Sequence, residues 1–273
     1  MSEPSWHVER DRADRTIVVR IDRPEARNAI SRATMNELDD LISELAEDSQ
    51  IGCVVLTGAG DKAFIAGGDL KDFSRLDTPQ KGQEMGKRMQ EILNRWESLP
   101  VPTIAAIGAN AYGGGCEIAL ACDLRVMAAG THLVFSQARL GLLTGWGGAS
   151  RLVGIVGKGR AMEILTTGRY VSAEKAQAMG LATDVAPEGY ALAHALDLAR
   201  QITRHPREAI RGMKEAVLAG TYETKARAQQ VENEWFGKRW NSPEHKGAVA
   251  RFLGGGAAVS SSIKEEAPKR GEG

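Results

Sequence analysis

The chain has 273 residues and a mass of 29.3 kDa, and its 35 basic and 35 acidic side chains cancel. At roughly 150 residues per domain this is one large domain or a domain with an appendage, and folding buries about 73% of the unfolded surface, a core that needs no staples. Zero net charge argues against partners met through a broad positive field, nucleic acid and anionic membrane among them, so any anion site has to be local.

Residues 16–21 are short and β-branched, the mark of a strand. After the Asp22-Arg23-Pro24 turn, Ser31 is placed to cap a helix in which Met35, Leu38, Leu41, Ile42 and Leu45 recur at spacings of three and four. Residues 53–57 form an apolar run stopped by Gly58 and Gly60, as in a strand buried on both faces of an α/β sheet. Over 78–98, Met85, Met89, Ile92, Leu93 and Trp96 keep helical spacing until Pro100 and Pro102 end it. Residues 103–107 read as a third buried strand feeding Gly113-Gly114-Gly115, with 116–122 a short apolar helix and 124–127 a further strand. Such alternation is the α/β class. Beyond about residue 190 the pattern is helical throughout, over 190–202, 208–219 and 224–235. The chain thus divides into a core over 1–200, a helical C-terminal region over 201–253, and a Gly-, Ser-, Lys- and Glu-rich tail over 254–273 that is expected to be disordered.

Cys53, Cys116 and Cys122 are an odd number in apolar surroundings, with no Cys-x-x-Cys pair and no histidine at ligand spacing, so a reduced cytoplasmic setting and no metal site are expected. The N-terminus lacks the basic and apolar regions of a secretory signal, and the longest uncharged stretch, 99–116, is broken by prolines and glycines, so no membrane span is expected.

Glycine is over-represented, at 31 residues or about 11% against a background of about 7%. No Gly-Lys pair is followed by Ser or Thr as a P-loop requires, no early Gly-x-Gly-x-x-Gly occurs, and there is no Gly-x-Ser-x-Gly or His-Glu-x-x-His. Two sites of one form remain: Phe64-Ile65-Ala66-Gly67-Gly68-Asp69-Leu70 and Tyr112-Gly113-Gly114-Gly115-Cys116-Glu117. In each, glycines follow a buried strand and precede a helix, whose first N–H groups have no internal partner. Converging N–H donors form an oxyanion hole, worth about 2.7–4 kcal/mol per donor when charge develops there. The alternative is that these glycines only permit tight strand-to-helix turns. Glu117 sits in a helix too apolar to face water, so it is either an acid with a raised pKa, suited to proton transfer, or a partner of an arginine such as Arg125 or Arg151.

The loop 63–70, the block 102–123 and Gly145-Trp146-Gly147-Gly148-Ala149-Ser150-Arg151-Leu152, with Arg23-Pro24 and Asn28-Ala29 ahead of them, together resemble the enoyl-CoA hydratase/isomerase (crotonase) superfamily. The resemblance implies a crotonase-like (ClpP/crotonase) α/β fold of repeated ββα units, with a helical C-terminal region that builds homotrimers or dimers of trimers. It also implies an acyl-CoA thioester substrate, as in fatty acid metabolism, with coenzyme A part of that substrate and no other cofactor. By position it makes the amides of Ala66 and Gly114 the holders of the thioester carbonyl oxygen and Glu117 the proton donor or acceptor. It places Arg27 and Lys62 near the CoA phosphates, and Gly68, Asp69, Leu70, Tyr112, Gly113 and Gly114 along the substrate. Trp146 is expected either to wall the acyl pocket or only to pack.

One departure bears on the reaction. Hydratases of the superfamily carry a second glutamate in a Pro-Glu pair, whereas here the segment Phe135-Ser136-Gln137-Ala138-Arg139-Leu140-Gly141-Leu142 is two residues shorter and has no Pro-Glu. No Asp or Glu lies between Asp123 and Glu163. Four readings stay open: one-base double-bond isomerisation through Glu117; decarboxylation, which resembles ethylmalonyl-CoA decarboxylase-like members; hydration with Asp69, Asp72 or another residue as the second carboxylate; and a non-catalytic acyl-CoA-binding protein. Elsewhere, His132, just ahead of a strand, reads as a surface or capping residue and Asp123 as structural, and Trp235, Phe236, Trp240 and Phe252 read as subunit-contact or core residues.

Overall fold

A computed structural model describes residues 5–11 and 14–254. β1 (Trp6–Asp11) pairs antiparallel with β2 (Thr16–Ile21), and a 3-10 turn at Pro24–Ala26 leads to α1 (Arg32–Glu47). The Ser31 hydroxyl accepts from the Thr34 N–H at 3.1 Å and caps α1, whose Met35, Leu38, Leu41, Ile42 and Leu45 are all buried, as their spacing predicts. Next come β3 (Cys53–Gly58), α2 (Leu70–Phe73), α3 (Pro79–Glu97), β4 (Thr103–Ile107), β5 (Ala111–Tyr112), α4 (Gly114–Ala121), β6 (Leu124–Ala128) and β7 (His132–Val134). After a 3-10 turn at Ser136–Leu140 the chain forms α5 (Gly148–Thr167), β8 (Tyr170–Ser172), α6 (Ala173–Ala178) and β9 (Asp184–Ala186). It ends in α7 (Ala191–Thr203), α8 (Arg207–Tyr222), α9 (Lys225–Arg239) and α10 (Pro243–Gly254).

The main sheet has the order β1-β2-β3-β4-β6-β9, parallel in every pairing but the first, and β5-β7-β8 form a second sheet. Strand alternation sorts the apolar runs onto two faces. Ile17, Val19, Val54, Leu56, Ala105 and Ile107 face the larger core with α1, α3 and α4, whereas Val18, Cys53, Val55, Ile104 and Ala106 meet Ala195 and Ala199 of α7. The strands β1, β5, β8 and β9 are not predicted from the sequence; three of them are only two or three residues long, too short for a period to emerge. Asp123 is structural, as expected: its Oδ2 accepts from Thr103 N at 2.7 Å, Thr103 Oγ1 at 3.0 Å and Lys214 Nζ at 2.8 Å.

Two compact units divide between Lys214 and Glu215. The first unit takes in α7, which packs on the second face of the sheet, and the start of α8, where Arg207 donates to Ile51 O at 2.9 Å and Lys214 to Asp123 at 2.8 Å. In the second unit, Phe236 stacks on Trp240 and Trp240 on His245, with centroids 5.3 and 5.2 Å apart. Gly254, the first residue of the expected tail, ends α10; residues 255–273 lie outside the described residues. Among the described residues no helix is long and apolar enough to cross a membrane, and no cluster of His, Cys, Asp and Glu could hold a metal ion.

The three cysteines are buried, and burial raises all three thiols, Cys53 and Cys122 to about 12. The folded protein is therefore expected to take up no iodoacetamide at pH 8 and to label at all three positions once unfolded. Mass spectrometry reads this directly, and a labelled cysteine in the native protein would show that its burial is not maintained.

Candidate active site

Backbone hydrogen bonds sew the two glycine loops together. Phe64 N–H donates to Asn110 O at 3.0 Å and Tyr112 N–H to Ile65 O at 3.0 Å. A Cβ on Gly115 would lie 2.0 Å from the Ile65 carbonyl oxygen, so only glycine allows α4 to start this close to the first loop. Gly67 touches the second loop in turn: a Cβ there would be 3.0 Å from Gly114 N. Behind the first loop stands Asn28, fully buried. Its Nδ2 donates to Ala59 O and Ala63 O at 2.9 Å and to Phe64 O at 3.2 Å, and its Oδ1 accepts from Arg23 N at 3.1 Å. Arg27 and Asn28 both have left-handed backbone, with φ of 54° and 57°, a conformation asparagine tolerates better than most residues.

The amide expected of Ala66 is not available, which corrects the assignment by position: its N–H donates to Arg27 O at 3.1 Å. Two residues on, Gly68 bridges Ile30 in parallel, with Ile30 N–H on Gly67 O and Asp69 N–H on Ile30 O, both at 2.8 Å. In that pattern the neighbours of Gly68 bond to Ile30 and the N–H of Gly68 itself points to the opposite side. It has no acceptor among the described residues, and neither has Gly114 N–H, at the first position of α4.

Glu117 lies one turn into α4, every residue of which is buried. Its Oε2 accepts from Trp146 N–H and Gly148 N–H, both at 2.8 Å, and its Oε1 from Gln137 Nε2 at 2.9 Å. Burial raises its pKa and outweighs the N–H donors, which favour the carboxylate. The two arginines offered as partners are engaged elsewhere: Arg125 on the Leu181 and Cys122 carbonyls, Arg151 on Glu97, Asn94 and the Trp146 carbonyl. A Cβ on Gly148 would sit 2.6 Å from Glu117 Cγ, so the glycine pair after Trp146 makes room for this carboxyl. Gln137 is the residue that sequence reasoning missed. Its only signal was its place in the segment where a carboxylate was sought, and it brings to the same spot a buried Oε1 with no partner among the described residues.

Asp69 and Asp72 are both committed to arginines. Asp69 pairs with Arg23 at 3.2 Å while its Oδ1 caps α2. Arg32 grips Asp72 through both side chain and backbone and holds it down at about 2. Arg139 turns away from Glu117, donating to Gly168 O at 2.6 Å and lying 5.3 Å over the Tyr170 ring. Arg27, Lys62 and Leu70 are exposed, and Tyr112 is half-buried with its hydroxyl accepting from Asn110 at 3.0 Å. The Gly113 N–H is bound to Val134 O at 2.9 Å. Trp146 is 4% exposed, packed against Gly114, with its Nε1 3.4 Å from Met85 Sδ. The His132 ring packs edge-on against Tyr170, and its backbone N–H donates to Asn110 Oδ1 at 2.8 Å.

A family model described as enoyl-CoA hydratase/isomerase matches residues 11–257. A short-chain-enoyl-CoA hydratase of Clostridium acetobutylicum is 32% identical over 243 residues, covering 89% of this chain and 93% of that protein. An ethylmalonyl-CoA decarboxylase of Xenopus laevis is 33% identical over 233 residues, covering 85% of this chain and 78% of that protein. The crystal structure of an enoyl-CoA hydratase from Bacillus anthracis matches with a TM-score of 0.86 at 30% identity, over 92% of this chain and 96% of that one. The fold is crotonase-like.

Proposed function

The chain belongs to the enoyl-CoA hydratase/isomerase family and is an enzyme acting on acyl-CoA, and on that premise we propose that it works through a thioester enolate with Glu117 as its single proton-transfer group. The carrying observation is a buried carboxyl held on both oxygens beside two amides, of Gly68 and Gly114, that have no acceptor among the described residues. These amides receive the thioester oxygen, Gly68 in place of Ala66, and stabilise it most when it carries enolate charge.

Isomerisation asks nothing more of the chain: ionised Glu117 takes a proton from one acyl carbon, the enolate forms, and the same carboxyl returns the proton at another carbon. Gln137 suits both states, because its Nε2 donates to the carboxylate and, after an amide flip, its partnerless Oε1 accepts from the acid. A second reading, decarboxylation of a malonyl-type thioester, is favoured by the 33% identity to an ethylmalonyl-CoA decarboxylase. There the C–C electron pair becomes the enolate as CO₂ leaves, and protonated Glu117 supplies the proton. Hydration is the activity named for the 32% identical Clostridium acetobutylicum relative, but the two carboxylates considered for a second role here, Asp69 and Asp72, are held by Arg23 and Arg32.

Parallel assays of crotonyl-CoA, a 3-enoyl-CoA, methylmalonyl-CoA and ethylmalonyl-CoA decide among these. Isomerisation of the 3-enoyl thioester is the expected result. Decarboxylation alone would establish the second reading, ordinary rates of crotonyl-CoA hydration would overturn the one-carboxylate mechanism, and binding without any turnover would make the protein a non-catalytic acyl-CoA binder. We also propose a cytoplasmic homotrimer or dimer of trimers, with CoA phosphates near Arg27 and Lys62. The buried reduced thiols support the location, and Phe236, Trp240 and Phe252, exposed at 62%, 62% and 66%, support assembly through the C-terminal helices.

A further inference from the structure

We propose that the indole of Trp146, backed by Met85, is the end wall of the acyl subsite and confines the substrate to short acyl groups. This rests on the reading above that an acyl-CoA is held by Gly68 and Gly114 and worked on by Glu117. Three contacts place the wall. On one side the ring lies against the bare α-carbon of Gly114, so closely that a Cβ there would be 2.1 Å from Cζ3. Adding standard bond lengths and one hydrogen bond, an oxygen on the Gly114 amide is no more than about 8 Å from that ring atom. The carbons that exchange protons must also touch the Glu117 carboxyl, which is itself bound to the Trp146 backbone N–H at 2.8 Å. Reacting carbons and indole therefore share one small space.

On its other side the ring meets α3, with Nε1 3.4 Å from Met85 Sδ. Met85 also lines a cavity of about 700 Å³ between α1, α2 and α3, together with Met35, Leu76, Arg32 and Arg88. Room for a longer chain thus exists in the fold, and Met85, which lines it, touches the indole of the residue whose backbone N–H holds Glu117. The wall is rigid, since the ring is 4% exposed and its backbone is anchored by Glu117 below and by Arg151, which donates to its carbonyl at 3.1 Å. Because the N–H that holds Glu117 belongs to the backbone, truncating the side chain enlarges the subsite without deleting that hydrogen bond.

The test is calorimetric binding of butyryl-, octanoyl- and decanoyl-CoA, unreactive saturated thioesters, to the native enzyme, Trp146→Ala and Met85→Ala. The native enzyme is expected to gain nothing from carbons beyond the short chain. Trp146→Ala should shift the octanoyl-to-butyryl affinity ratio upward by at least about tenfold, as removal of a pocket wall does for each few added methylenes. Met85→Ala, which leaves the ring in place, should shift it the same way by less, and it carries the test if Trp146→Ala does not fold. Octanoyl-CoA already bound tenfold more tightly than butyryl-CoA by the native enzyme, or an unmoved ratio in the folded variants, overturns the wall alone. Failure of butyryl-CoA to bind at all overturns the acyl-CoA reading and the wall with it.

Discussion

Glu117→Gln is expected to lower kcat/KM by about 10²–10⁴-fold, the usual contribution of a positioned acid–base group, while leaving acyl-CoA binding intact. The substitution is structurally mild. A glutamine oxygen can still accept from Trp146 and Gly148, and its NH₂ finds the Oε1 of a flipped Gln137, an oxygen with no partner among the described residues. Stability should hold or rise. Burial raises the folded pKa of Glu117, so the ionised group costs stability as pH climbs from the unfolded carboxylate value through the folded one, and Gln removes that cost. At pH 8 the variant should melt no lower than the native enzyme. The native pH profile carries the sign of the chemistry. If ionised Glu117 abstracts a proton, kcat/KM rises with pH through a limb above the ordinary carboxylate range; if protonated Glu117 supplies one after decarboxylation, it falls through the same limb. Retention of full rate by Glu117→Gln would remove this residue from the chemistry.

Gly115→Ala should be the most destabilising single change near the site. The added Cβ would meet the Ile65 carbonyl oxygen at 2.0 Å and its carbon at 2.8 Å, and backbone held by Tyr112 N–H cannot swing aside as a side chain tip can. Overpacking against main chain belongs to the largest class of point-mutant effects, so a loss of at least about 4 kcal/mol is expected. At this chain length that lowers Tm by about 8–16 °C. Separation of the loops should also abolish turnover in whatever fraction folds. Calorimetry of purified variant decides: a Tm within 3 °C of native would mean that the loops part without cost.

The elements that fold by local pattern were legible beforehand. α1 appears where its apolar spacing and Ser31 cap place it, and β3 and β4 follow their continuous apolar runs. Glu117 was legible for a related reason: a carboxylate inside an otherwise apolar helix has to be held by something. Identity of what holds it was not. The Trp146 and Gly148 amides and Gln137 lie 20 to 31 residues away in sequence, and a backbone N–H leaves no mark in composition. The Ala66 assignment failed likewise, since motif position does not tell which of three successive amides a neighbouring segment consumes, and the Arg27 carbonyl takes that one.

The sequence by itself determined the class of fold, the two glycine loops, the buried acid and the absence of any carboxylate between Asp123 and Glu163, because each is written in residue type and spacing. Tertiary structure decided which N–H groups remain without an acceptor, that Asp69 and Asp72 are held by arginines, and that Trp146 stands between Gly114 and Met85. Those facts are pairings between segments distant along the chain, and pairing exists only once the chain has closed on itself.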